Sequence, residues 1–325
     1  MKVVTPITIT AANYALYPDP NGNGYHNGTS FLDENDYGFY NAATAYVVGN
    51  RVNFDALQSV FECTANTTGT APTMAMTTPW IRVSAMNAWK VFDGSLNDQT
   101  LSAFQTGVGG WTSIFIQPYA LGRFDTVCLL NIDCDSVFVS FHDQDGITTY
   151  SQTKQTVDTT LVVDAWTYCF AECPQARNLV FDGIDGWGSN TGAFLSIILT
   201  RGSSNSPCKV GEIVIGASHD LGKCHAEPTK RLVDYSRKQA DAFGNLVIVE
   251  RAYSYQLSFD VEVLSTRKGI VEQLITDLRA TPAVYFSTSD DVPLGVVSYG
   301  YPTSFEITYA TPDRTFISIE IEGLT

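Results

Sequence analysis

The sequence predicts a mainly β, multidomain protein: a small β module, an antiparallel β-sandwich or jelly roll, and a C-terminal antiparallel sheet with one covering helix (α+β). Three observations carry this. Between about residues 88 and 218, short apolar runs recur between turn residues with no helical stripe among them: 114–116, 127–130, 137–141, 161–163, 179–181, 194–199 and 213–215. "YSYQLSFDVEV" (253–263) alternates apolar and polar residues strictly, the period of a half-buried strand. The 325 residues are 44% apolar and only 16% charged, with 16 Tyr and 18 Phe, which suits β-structure with large polar, hydrogen-bonding surfaces.

Four segments follow in order. Residues 1–36 begin with a strand-like stretch (3–10) and continue into "YPDPNGNGYHNGTS", whose Pro, Gly and Asn mark an extended arm or loop. Residues 37–86 hold "AYVVGNRVNFDALQSVFECT", an aromatic hairpin turning at Gly49, and a Thr/Ala/Pro loop ending at Trp80. Residues 87–220 carry the sandwich strands. Residues 221–325 contain the alternating strand, then "STRKGIVEQLITDLRATP". There Ile270, Val271, Leu274, Ile275 and Leu278 form a helical stripe, Ser265 or Thr266 can cap the start, and Pro282 follows the end. Strands at 283–287, 305–309 and 316–321 complete the unit.

Charge excludes some partners. The net charge is −15, from 19 basic and 34 acidic residues, so a phosphate backbone would repel the chain and nucleic acid is not an expected partner. No apolar window approaches the length of a membrane span, and the N-terminal residues do not read as a signal peptide. The cysteines (Cys63, Cys128, Cys134, Cys169, Cys173, Cys208 and Cys224) form no C-x-x-C pair. They are expected to be reduced and mostly buried.

No constellation argues for catalysis, a cofactor or a metal, and none is expected. "IGASHDLGKC" (215–224) lacks the Walker spacing, because Gly216 and Gly222 stand five residues apart and Cys224 follows Lys223. "DPNGNG" (Asp19, Asn21, Asn23, Gly24) opens like an EF-hand loop but has Ser30 where a bidentate Glu belongs. "HDQDG" (142–146) reads as a hairpin turn. The four histidines are scattered. Aromatic residues are the strongest candidate site, because a sugar's apolar face stacks on flat rings. Tyr40, Tyr46, Trp80 and Trp89 are the candidate glycan-stacking residues, and Tyr46, Val52 and Phe61 can equally form a tiny core.

The run Tyr40, Tyr46, Gly49-Asn50-Arg51-Val52, Val60-Phe61-Glu62-Cys63, Pro72, Trp80 resembles the small carbohydrate-binding modules of chitinases, with Tyr40 where those modules usually have Trp. Farther on, "VSAMNAWKVFDGSLNDQT" (83–100), "GEIVIGASHDLGKC" (211–224), "KRLVDYSRKQADAFGNLVIVERAYSYQLSFDVEV" (230–263), "LRATPAVYF" (278–286) and "FISIEIEGLT" (316–325) resemble, in this order, virion proteins of tailed bacteriophages. That resemblance implies a tail-tip or baseplate structural protein that assembles with other tail proteins as a ring or connector. It implies a galactose-binding-like sandwich, no catalytic residues and, as an alternative role, recognition of host surface glycan. The expected location is the virion.

Overall fold

The computed structural model describes all residues except 15–16, 19–23, 28–29, 35, 103–111, 158–162, 171–174, 189–191, 203–205, 225–227, 241–245, 250, 252, 288–295, 310–312 and 325. Strands make up 54% of the described residues and helices 9%. It divides into two compact units: Met1–Ile7, Asp125–Cys128 and Val214–Thr325 form one, Thr8–Phe124 and Leu129–Ile213 the other. The sequence divisions at 36/37 and 220/221 do not coincide with this partition. The first residues are not part of an arm: Lys2–Pro6 lies inside a sheet, paired antiparallel with Glu212–Asp220 on one side and Ala283–Phe286 on the other. "KVVTP" is too short to reveal this, because only its partners make it a central strand.

The first unit is a curled antiparallel sheet. Its strands run Glu212–Asp220, Lys2–Pro6, Ala283–Phe286, Val297–Tyr309, Arg314–Gly323 and Tyr253–Leu264, with Lys223–Cys224 and Thr229–Asp234 both paired to the last. Alternation decides which side is inside. Leu257, Phe259 and Val261 stand opposite Ile321, Ile319 and Ile317, and all six are buried. Helix Lys268–Asp277 closes this core with Val271 and Ile275. Ile270, expected in the same stripe, is 67% exposed. A stripe of five is wider than the contact the helix makes, and Ile270 falls at its solvent edge.

The expected cap is also absent. The residue before the helix is Arg267, which makes no side-chain capping bond because a guanidinium has no acceptor; its own N–H turns back to the Leu264 carbonyl at 2.8 Å. Ser265 Oγ lies instead 3.4 Å from Thr315 Oγ1 on a neighbouring strand. Gly216 sits where the backbones of two strands come closest; a Cβ there would collide with the Thr5 carbonyl.

The second unit contains the aromatic module and a sandwich-like set of strands. In the module, Arg51–Phe54, Ser59–Cys63 and Trp80–Ala85 form a three-stranded sheet, and Ala45–Tyr46 pairs with Thr67–Thr68. The "DALQS" connection is a 3-10 turn, Asp55–Leu57, ended by Gln58 in the left-handed region (φ 47°). Beyond it, Thr112–Ile116, Phe194–Arg201, Ser136–His142 and Thr148–Gln155 make a four-stranded antiparallel sheet.

"HDQDG" is the predicted hairpin turn. Asp143 Oδ1 accepts the Asp145 and Ile147 N–H groups at 3.0 and 2.8 Å, and Gly146 takes φ 76°. The expected strand 161–163 falls mostly outside the described residues, at 161–162, while Val163 is exposed and leads into a short helix, Ala165–Phe170. Asp164 Oδ1 accepts the Thr167 N–H at 2.7 Å and Thr167 Oγ1 accepts the Val163 N–H at 3.0 Å. These bonds cap the helix. The EF-hand-like positions 19–23 lie outside the described residues.

Candidate functional site

Tyr40, Tyr46 and Trp80 are brought together, but as a core. Trp80 has no exposed surface and Tyr46 is 8% exposed. Their rings meet edge to face at 5.1 Å and 69°, Tyr40 stacks on Tyr46 at 5.6 Å and 20°, and Tyr40 meets Trp80 at 6.0 Å and 86°. Val52, Phe61 and Cys63 complete the cluster. Polar ends are satisfied locally: Trp80 Nε1 donates to the Thr70 carbonyl at 2.8 Å, and Tyr46 Oη accepts the Asn41 N–H at 2.7 Å. A sugar platform needs open ring faces. Those of Trp80 and Tyr46 are occupied by neighbours, so both are corrected from stacking residues to packing residues; Tyr40 is half-buried.

Trp89 is not part of this cluster. It lies on the 3-10 helix Asn87–Phe92, half-buried, with Tyr14 edge-on at 5.2 Å and 80°; Tyr14 meets Phe92 at 5.3 Å. The stretch "NAWKVFD" (87–93) is a joint held by specific contacts. Asn87 Nδ2 donates to the Leu101 carbonyl at 2.8 Å, its Oδ1 accepts the Leu101 N–H at 2.9 Å, and its carbonyl accepts Thr100 Oγ1 at 2.6 Å. Asp93 Oδ1 accepts the Ser95 N–H at 2.8 Å.

Two buried carboxylates in this region look ordinary in the sequence. Glu34 is 4% exposed and accepts the N–H groups of Asn87 and Ala88 at 2.9 and 2.7 Å, capping the 3-10 helix. Burial pushes its pKa up to about 7, against the lowering effect of those two N–H groups. Its backbone carbonyl accepts Asn53 Nδ2 at 2.9 Å, which ties residue 34 to the sheet of the module. Glu212 accepts the Gly94 N–H at 2.9 Å, and burial, with Asp93 nearby, pushes it up to about 9. A small polar cavity of about 100 Å³ lies beside Glu34, lined also by Tyr37, Arg51, Asn53 and Lys90. Only the depth of burial distinguishes these two acids, and the local sequence carries no signal of it.

A larger cavity of about 390 Å³ opens in the first unit, lined by Asp220, Lys223, Glu262, Arg267 and Arg314. Its guanidiniums face carboxylates: Arg267 meets Asp220 at 2.9 Å, and Arg314 meets Glu262. Among thiols, Cys63 and Cys134 are buried, and burial pushes Cys134 up to about 12. Such a group is a packing residue and not a nucleophile.

Several exposed apolar side chains share a two-stranded ribbon. Thr229–Asp234 pairs with residues 253–258, and Arg237–Ala240 continues against Leu246–Val249 with the register displaced by one. The ladder between Tyr253–Leu264 and Arg314–Gly323 runs only from Gln256 onward. Beyond it, among the described residues, 253–255 pair with 232–234 alone. Tyr253, Tyr255 and Leu257 share a face; Leu257 is buried in the core, whereas Tyr253 and Tyr255 are 49% and 40% exposed. Leu232 on the same face and Ile248 toward the tip are exposed as well.

The ribbon's root is pinned by Tyr235, whose hydroxyl lies 3.1 Å from Ser254 Oγ and 3.4 Å from Glu322 Oε1. Its bend is held by Asp234, which accepts the Ser236 N–H at 2.8 Å and is held below the usual carboxylate range by its hydrogen bonds to Ser236. Past the end of the covering strand Tyr253 and Tyr255 are exposed, while Ser254 on the other face is buried under Tyr235.

Among the described residues, no group of three or more His, Cys, Asp or Glu side chains is placed to hold a metal ion, and no helix is long and apolar enough to cross a membrane. No protein-family model matches the chain, and no curated protein matches it in sequence.

Proposed function

We propose that the protein is a non-enzymatic structural component of a tailed-phage tail tip or baseplate, assembling into a ring or connector between tail tube and fibres within the virion. The order of segments along the chain supports this, from the aromatic hairpin through the "NAWKVFD" joint to the C-terminal sheet. The observation that carries it is the ribbon formed by Thr229–Asp234, Arg237–Ala240, Leu246–Val249 and residues 253–258. A free two-stranded ribbon is marginally stable in water, and exposed apolar side chains on one mark a surface to be covered. Its partners in this reading are neighbouring tail proteins. The module, tied through Glu34 and Asn53, is a braced peripheral domain.

Recognition of host glycan is less well supported, since Trp80 and Tyr46 turn their faces into the module core. Immunogold electron microscopy of purified particles tests the assignment. Label at the tail tip is expected; label confined to fibre tips, or no label on particles, would refute it. A glycan array probed with the wild type and a Tyr40→Ala variant tests the second role.

A further inference from the structure

The ribbon differs in charge from the chain that carries it. Between residues 229 and 258 stand five of the chain's 19 basic residues and three of its 34 acidic ones, a net of +2. With −15 on the whole, the remaining residues carry −17. The basic groups on the side of the apolar residues are Lys230, whose ammonium lies 4.1 Å from the centre of the Tyr255 ring, and Lys238, exposed and directly opposite Ile248. The apolar side chains Leu232, Ile248, Tyr253 and Tyr255 stand among them. An apolar strip flanked by positive charge fits an acidic protein surface, through burial for affinity and charge for steering and register. The segment 232–240, pairing only within the ribbon among the described residues, reaches up to about 30 Å at the rise of a strand. That is long enough to cross onto a neighbouring subunit.

We propose that the ribbon is a docking arm by which one copy of this chain grips the acidic body of a second copy. This rests on the assembly reading above and names its partner. Head-to-tail docking of this kind, repeated around an axis, closes a ring.

Sedimentation velocity of the full chain, over a concentration series at about 0.1 M and about 1 M salt, is the test, because the Debye length falls from about 10 Å to about 3 Å between them. Wild type is expected to associate at the lower salt and to weaken at the higher. A Leu232→Asp/Ile248→Asp variant is expected to associate at least about tenfold more weakly, the loss implied by exposing apolar side chains that an interface had buried. Should that variant also lose its melting transition, Lys230→Glu/Lys238→Glu, which reverses charge on exposed side chains of the apolar side, provides the same readout, with a deficit confined to low salt. Wild type that stays monomeric to its solubility limit, association insensitive to salt, or folded variants that associate like wild type would each overturn the inference. The particle label reports separately: a chain that self-associates through the ribbon but is absent from particles refutes the virion assignment and leaves this one standing.

Discussion

Replacing Glu34 by glutamine isolates the energetic consequence of the most constrained carboxylate at the module joint. The wild-type carboxyl ordinarily titrates at 4.5 and is held at about 7 in the folded chain, chiefly by burial. The unfolded chain therefore binds fewer protons than the folded one between these values, so stability contributed by this group falls as pH rises. It is fully present below 4.5 and lost as pH passes through about 7. The shift corresponds to about 3 kcal/mol. Glutamine resembles the protonated acid in shape and neutrality and does not titrate. Glutamine can accept only one of the two N–H groups of Asn87 and Ala88, a cost that does not vary with pH, so relative to wild type Glu34→Gln should gain up to about 3 kcal/mol between pH 4.5 and pH 8. Urea unfolding followed by tryptophan fluorescence at stepped pH measures the difference, and the Glu212 titration cancels because both proteins share it. A difference that stays flat with pH, or that shifts toward the wild type as pH rises, would refute the reasoning. Either would mean that the bonds from Asn87 and Ala88 outweigh burial and leave Glu34 an ordinary, ionised acid.

Other outcomes follow from packing. Trp80→Ala should destabilise the module by about 3–5 kcal/mol, and Tyr46→Phe by about 1 kcal/mol through loss of the Asn41 bond, both measured by denaturant unfolding. Loss of glycan binding with unchanged stability in Trp80→Ala would contradict its core role. In the helix Lys268–Asp277, Ile275→Ala should lose about 2–5 kcal/mol while Ile270→Ala stays within about 0.5 kcal/mol, so equal effects would argue against the observed helix rotation. Gly216→Ala should lower the melting temperature of the sheet unit strongly, because its Cβ meets the Thr5 carbonyl; a neutral substitution would show that the strands separate easily there.

Much of the β architecture was legible because it depends on local pattern. "YSYQLSFDVEV" alternates in a way that only a strand satisfies, "GIVEQLITDL" has helical spacing, and "HDQDG" contains the chemistry of its own turn. Each signal is contained within a dozen residues or so, and the structure keeps each.

Partnership at long range was not legible. "KVVTP" becomes a central strand because residues 216–220 and 284–286 happen to flank it. Glu34 becomes a helix cap because a segment more than 50 positions away presents two N–H groups to it, and nothing in "LDEND" records that. Tyr46 and Trp80 read equally well as platform or core, since aromatic content does not say which face meets solvent. The small module needed them inside, having few other large apolar residues to exclude water from its centre. Tyr253, Tyr255 and Leu257 are equivalent by alternation, yet only Leu257 is covered. The sequence by itself determined that the chain would form amphipathic strands and one amphipathic helix, because side-chain periodicity is a property of the local backbone. Which strands pair, which carboxylates are buried and where an apolar face runs out past its cover were decided by tertiary structure alone, because burial depends on what the rest of the chain brings alongside.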